Sequence, residues 1–279
     1  ILKEVGYTSA AFGKWDLAGH SQTGYSPELL PRKQGFDYFF GTPTSNDSVL
    51  NLIRNEKMVE PKADMREVTR RYTDEAIAFI REHRDRPFFV YIPHTMPHTR
   101  LAASPAFKGK STRGLYGDVI EEIDFHAGRL LDAVTEMGLA ENTYVLFLSD
   151  NGPWLIKNKN HRDGMSPQDH GGSAGPLRSG KVSTWEGGVR VPTILWAPGR
   201  VPADSECDKI GNTQCSNGTG GAKEPTTIKG GNGGSSGGGT SGGGSSGGGT
   251  SGGGTTGGGT SGGASGGGTT GGSSSTGGT

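Results

Sequence analysis

The chain has 279 residues and carries 28 basic and 28 acidic side chains. That balance leaves no broad basic face of the kind nucleic-acid binding requires. Only 30% of the chain is apolar, and no apolar run approaches the length of a membrane span.

The sequence opens on Ile1 rather than Met, inside what reads as a structured motif, so a preceding segment is expected. Residues 7–15 read as a short buried strand running into a Gly turn, and a Gly/Pro-rich loop follows to residue 48. Over 66–83, Val68, Tyr72, Ala76, Phe79 and Ile80 recur at helical spacing, with Arg81, Arg84 and Arg86 near the end, where cations suit the helix dipole. Pro87 ends that helix. Phe88 to Ile92 is a continuous apolar run, which predicts a strand buried on both faces.

A second helix is predicted over 116–137, with Val119, Ile123, Ala127, Leu130, Leu131, Val134 and Met137 as its apolar stripe and Gly138 as its stop. Its acids Asp118, Glu121, Glu122 and Asp124 read as a solvated face. Tyr144 to Leu148 predicts another buried strand, and a last one falls at 191–196. Strands alternating with helices imply an α/β layer fold with a mainly parallel sheet. Cys207 and Cys215 lie close together and could pair or remain thiols. From Gly230 to Thr279, 28 of 50 residues are glycine and nearly all the rest are Ser or Thr. Such a segment offers no apolar burial against the entropy of ordering, so residues 1–215 are expected to form the folded domain and 216–279 a disordered tail.

In open α/β sheets, ligands bind beyond the carboxyl ends of the strands. Lys14 follows the first predicted strand, His94 and His98 the second, and Asp150 and Asn151 the third, while Lys181 sits in the Gly-rich loop before the last. Two ammoniums suit a tetrahedral oxyanion such as sulfate or phosphate, and a histidine can protonate a leaving oxygen. Asp and Asn oxygens suit a hard cation, Ca2+ or Mg2+. Each group also has a plainer reading: Asn-Gly is a common turn, a lysine beside a Trp is usually a surface residue with a packed stem, and a lone histidine is more often structural. His170 precedes the Gly-rich loop, where it either touches substrate or lies on the surface.

Five segments, in order, resemble the sulfatase family: Gly13-Lys14-Trp15; Gly35-Phe36-Asp37 through Gly41 with Ser45-Asn46-Asp47; Pro87 through Pro97-His98; Ser149-Asp150-Asn151-Gly152-Pro153; and Gly175-Pro176-Leu177-Arg178 to Lys181 with Thr184 to Pro192. The resemblance implies an alkaline-phosphatase-like α/β/α sandwich, incomplete here. It implies hydrolysis of sulfate esters by a formylglycine nucleophile with Ca2+. Lys14, His98 and Lys181 would be catalytic, Ser45 and His170 would touch substrate, and Asp150 and Asn151 would ligate the metal. The substrate would be a sulfated small molecule or glycan, and the setting secreted, periplasmic or lysosomal.

The departures are specific. No Cys-x-Pro-x-Arg segment, the family's formylglycine source, occurs here, so the chain is expected not to turn over sulfate esters by itself. Asp16 stands where the family most often has a histidine, and a carboxylate there would repel an anion unless protonated or paired. A phosphatase or phosphodiesterase of the same superfamily, and a non-catalytic binder of sulfated glycans, are the competing readings.

Overall fold

A computed structural model describes residues 1–19, 24–47, 49–155 and 171–207. Thr8–Lys14 forms β1, a short run of mostly small residues that is the second strand from one edge of a five-stranded sheet. β2 (Tyr38–Thr42) and β5 (Phe88–Tyr91) flank it, both parallel to it. β3 (Leu52–Arg54) and β4 (Lys57–Glu60) extend the sheet antiparallel, as a hairpin whose turn residue Asn55 sits at φ 58°. Asn is among the side chains that tolerate that left-handed conformation best. Sequence periodicity did not reveal this hairpin, because its strands are too short to show one.

The pleat of β1 sorts the core into two clusters. Ala10 and Phe12 point to one face with Phe40, Val68, Tyr72, Ala76 and Phe79, all at least nine-tenths buried. Ala11 points to the other with Ala18, Leu30, Phe39 and Ile53. α1 (Val68–Glu82) buries all five positions the sequence predicted, four of which, Val68, Tyr72, Ala76 and Phe79, form the helical side of the first cluster. The larger aliphatic and Phe side chains among them, fully buried, contribute roughly 1.5–3 kcal/mol each. The 3₁₀ turns at Pro27–Leu29 and Pro31–Gln34 lie near the second cluster, whose Leu30 sits between them. α2 (Gly114–Glu136) packs on α1 and closes a third cluster, Met96, Ala103, Val119 and Ile123.

Three sequence expectations need correction. The acids of α2 do not all face solvent: Asp118 and Glu122 are each only 2% exposed. Asp118 accepts backbone N–H bonds from Gly109 (2.7 Å), Lys110 (3.0 Å) and Ser111 (2.8 Å), and Glu122 accepts from Ser104 N (2.9 Å). Those turn amides have no ladder to join, so the helix carboxylates complete them. The helical period was right, but its buried face also carries acid.

The second and third corrections concern strands expected to be buried on both faces. β5 leaves Phe89 and Tyr91 more than two-fifths exposed. β6 (Val145–Leu148) pairs antiparallel with β7 (Thr193–Trp196) in a separate two-stranded sheet, and Leu146, Phe147, Leu148 and Ile194 are about half exposed. Among the described residues β5 pairs only with β1, and β6 only with β7, so the apolar pattern exceeds the cover the described residues provide.

The described residues all fall within one compact unit. The expected tail over 216–279 and Cys215 lie outside the described residues, whereas Cys207 is exposed. No described helix is long and apolar enough to cross a membrane.

Candidate active site

Lys14 is the last residue of β1, and its backbone N–H donates to Pro93 O (2.7 Å) just past the end of β5. That contact requires glycine before it. Gly13 has φ 144°, and a Cβ there would fall 2.0 Å from Pro93 O. Two strand ends are thereby clamped together, and the loop after β5 is led toward Lys14.

His98 lies in that loop. Asn46, fully buried, donates from Nδ2 to Thr99 O (3.1 Å) and His98 O (3.4 Å), pinning the loop to the segment that follows β2. Ser45 is 1% exposed, and its hydroxyl donates to Asp47 Oδ2 (3.1 Å). The other oxygen, Asp47 Oδ1, lies 3.8 Å from His98 Nδ1. The sequence placed Asn46 and Asp47 in the motif beside Ser45 without giving them a role. Their position after a strand, next to a candidate residue, was the available signal.

The third part comes from β6 and the Gly-rich loop. Lys181 N–H donates to Pro153 O (2.9 Å), Gly152 N–H to Gly188 O (2.9 Å) and Gly187 N–H to Arg178 O (2.9 Å). A Cβ on Gly152 would fall 1.8 Å from Gly187 O, and one on Gly180 would fall 2.5 Å from Pro153 O. Three backbone segments meet with no side chain between them, which accounts for Gly180, Gly187 and Gly188 by contact, whereas Gly175 has open space around it and is set by its φ of 58°. The Lys181 ammonium lies 5.6 Å from the Trp154 ring centroid, a cation–π distance.

The charges converge. Burial lowers the Lys181 pKa first; the Lys14 ammonium adds to that, against the raising pull of Asp150, Asp47 and Asp16. His98 is also held below its ordinary value, by burial first and then by Lys14 and Lys181, opposed by the Thr99 carbonyl and by Asp47. Burial raises the Tyr91 pKa, and Asp150 adds to it. Lys14, His98, Lys181, Asp47 and Asp150 therefore share one electrostatic neighbourhood beyond the strand ends. Asp16, in doubt from sequence, reaches Lys14 (Nζ–Oδ2 3.8 Å) and so is paired.

Asp150 and Asn151 follow β6, where Ser149 Oγ donates to Asn151 O (2.8 Å). Their oxygens fit a hard divalent cation in kind, but Ca2+ takes six to eight. No group of three or more His, Cys, Asp or Glu with metal-binding geometry occurs among the described residues. The pair supplies part of a coordination shell at most. His94, by contrast, does not join the site. Its Nδ1 is buried without a partner, and its pKa is pushed down to about 4 by burial first and then by His126 of α2. His170 and most of the loop between Trp154 and Ser173 lie outside the described residues.

The family model described as Sulfatase matches residues 1–216. N-acetylgalactosamine-6-sulfatase of Canis lupus familiaris is 37% identical over 231 residues, covering 76% of this chain and 41% of the relative. Arylsulfatase of Hemicentrotus pulcherrimus is 32% identical over 216 residues, covering 72% and 37%. Among solved structures, PsFucS1 sulfatase from Pseudoalteromonas sp. superposes with a TM-score of 0.59 at 29% identity, covering 71% of this chain and 44% of that one. The chain spans about two-fifths of the length of these relatives. That structural match bears out the alkaline-phosphatase-like α/β fold that the sequence implied.

Proposed function

Because this chain belongs to the sulfatase family, we propose that its site holds the sulfate group of a sulfate ester and serves sulfuric ester hydrolysis. The observation that carries the reading is the convergence of Lys14, Lys181 and His98 at one end of the strands, fixed by backbone contacts. Two ammoniums neutralise the charge on sulfate oxygens, and part burial strengthens each interaction by excluding water. His98 offers a ring nitrogen to the ester oxygen, to which it donates a proton as the S–O bond breaks, acting as a general acid. Ser45, through Asp47, holds the far side of that histidine's surroundings.

Asp150 and Asn151 are proposed to contribute to a Ca2+ shell that other oxygens would complete. Such an ion, when bound, supplies positive charge beside the sulfate. Formylglycine is the nucleophile the family resemblance implies, and its Cys-x-Pro-x-Arg source does not occur in this sequence. This chain's own residues therefore account for binding, charge neutralisation and proton transfer. The first substrates to try are sulfated sugars, given relatives whose names include N-acetylgalactosamine-6-sulfatase and a solved structure described as Ps i-CgsB with k-i-k-neocarrahexaose.

Calorimetry tests the reading directly. N-acetylgalactosamine 6-sulfate and inorganic sulfate are expected to bind, and the desulfated sugar is not. Replacing either Lys14 or Lys181 by Met removes a charge-assisted contact of about 1.5–3 kcal/mol, a roughly 10- to 150-fold loss of affinity. Equal binding of sulfated and desulfated sugar would refute the proposal. A clear preference for phosphate monoester over sulfate ester would transfer the site to the phosphatase reading.

A further inference from the structure

Asp47, so far only a link between Ser45 and the surroundings of His98, is itself held at several points. Its Oδ2 accepts from Ser45 Oγ (3.1 Å), while its backbone N–H donates back to the same hydroxyl (3.3 Å). Arg100 Nη2 donates to its backbone carbonyl (3.0 Å). The remaining oxygen, Oδ1, is thereby set 3.8 Å from His98 Nδ1, within reach after a small closure or through one water.

That nitrogen has acceptors around it. The Thr99 carbonyl contacts His98 Nδ1, and the Asp47 carboxylate stands on the same side. A carbonyl and a carboxylate can only accept, so the proton of the neutral ring belongs on Nδ1. Nε2 is then the nitrogen left for a ligand oxygen. The other charges acting on the ring come from separate elements: Lys14 at the end of β1, which Asp16 partners, and Lys181 from the Gly-rich loop. Both are cations, and Asp47 is the carboxylate that opposes them at the ring.

From this arrangement we propose that Asp47 is the positioning residue of His98: it fixes the Nδ1–H tautomer and lets the imidazole take up a second proton, on Nε2, when an anion neutralises the lysine pair. The tautomer half rests on geometry alone. The proton-uptake half rests on the sulfate-binding reading given above. Burial first, and then the two neighbouring ammoniums, disfavour imidazolium at His98. An oxyanion held between those ammoniums cancels their repulsion, after which Asp47 and the anion both favour the charged ring. The acid needed for a departing oxygen would then form when the anion arrives. No redox or covalent step is involved; one proton moves from solvent to Nε2.

The test uses the full chain labelled with 15N-histidine and 15N-lysine, His98→Gln, Lys14→Met and Lys181→Met to assign the resonances, and inorganic sulfate as the probe. In the free protein, the nitrogen shifts of His98 should report the Nδ1–H tautomer. Asp47→Asn should lower the His98 titration midpoint and mix the tautomers, while Asp47→Glu should restore both in part. Adding sulfate should raise the midpoint in the natural chain and raise it less in Asp47→Asn. An Nε2–H tautomer in the free protein, or a midpoint indifferent to Asp47→Asn with the other histidine signals unchanged, overturns the assignment of Asp47. If Asp47→Asn perturbs the fold, the natural chain's tautomer and the Asp47→Glu midpoint decide the same question. Sulfate that leaves both lysine ammonium signals and the His98 midpoint unmoved defeats the anion-binding reading instead. Sulfate that shifts the lysines but not His98 overturns proton uptake alone.

Discussion

Asp118 offers a strict test of how α2 is anchored. Its carboxylate, 2% exposed, receives three backbone N–H bonds from the turn over 109–111. Hydrogen bonds to a charged group are worth about 1.5–3 kcal/mol each, but one residue's bonds are not additive, and some orphaned amides will find water. Asp118→Ala is therefore expected to cost about 3–5 kcal/mol, the range for breaking a buried network. For a domain of this size that corresponds to a fall in Tm of roughly 2–4 °C per kcal/mol. Asp118→Asn keeps one acceptor oxygen and should fall between the two. The pH dependence has a definite sign. Burial raises the Asp118 pKa, but the three amides and Lys108 outweigh it, so the folded value is lowered. Its stabilisation is complete above the ordinary carboxylate range and is lost as pH falls through the lowered folded value. Urea melts at neutral and acid pH would measure this. A loss below about 1 kcal/mol for Asp118→Ala at neutral pH, or the same acid sensitivity in Asp118→Asn, would refute the reasoning.

Three further outcomes follow from other parts of the molecule. Gly152→Ala should separate the Asp150 loop from the segment at Gly187, abolishing sulfate binding in calorimetry while far-UV circular dichroism stays close to that of the natural chain. Tyr72→Phe should cost about 1 kcal/mol in a urea melt, because it removes only the Tyr72–Thr95 hydroxyl contact (2.9 Å) from a fully packed site. Leu146→Lys with Leu148→Lys on β6 should raise the soluble monomeric fraction in size-exclusion chromatography without lowering Tm, since both side chains are at least half exposed. A lower Tm would place those side chains in a packed environment.

Much of the fold was legible because the sequence patterns were long. α1 has 15 residues and α2 has 23, enough turns for the period to repeat. The hairpin of β3 and β4, at three and four residues, is too short to show alternation. Hydrophobicity indicated that Phe88–Tyr91 and Val145–Leu148 were strands, but not which surfaces they meet, and their exposure was misjudged for that reason. The acids at 118 and 122 misled because charge was taken as a sign of solvent, whereas a turn with unpaired amides takes a carboxylate equally well. At the site, strand-end position alone singled out Lys14, His98, Asp150 and Asn151, and the Gly-rich loop singled out Lys181. His94 satisfied the same strand-end rule; the family resemblance singled out His98 instead, and in the structure His94 Nδ1 is buried without a hydrogen-bond partner. Asp47 acts through a contact between residues 51 positions apart in sequence, a distance that local patterns do not record.

The chain has four tryptophans, and their placement makes the protein its own optical instrument. Trp15 follows Lys14 and bonds Leu29 O (2.8 Å), Trp154 faces the Lys181 ammonium, and Trp185 stacks on the Arg178 guanidinium with 3.5 Å to its centroid. Trp196 pairs with Val145, at the opposite end of β6 from Asp150. Trp154 thus neighbours a cation of the proposed anion site, Trp185 an arginine of the same Gly-rich loop, and Trp196 is a reference at the far end of β6. Emission from the unlabelled chain, with Trp196→Phe to remove the reference, should follow occupancy of the lysine pair in real time, with no chromogenic ester and no turnover.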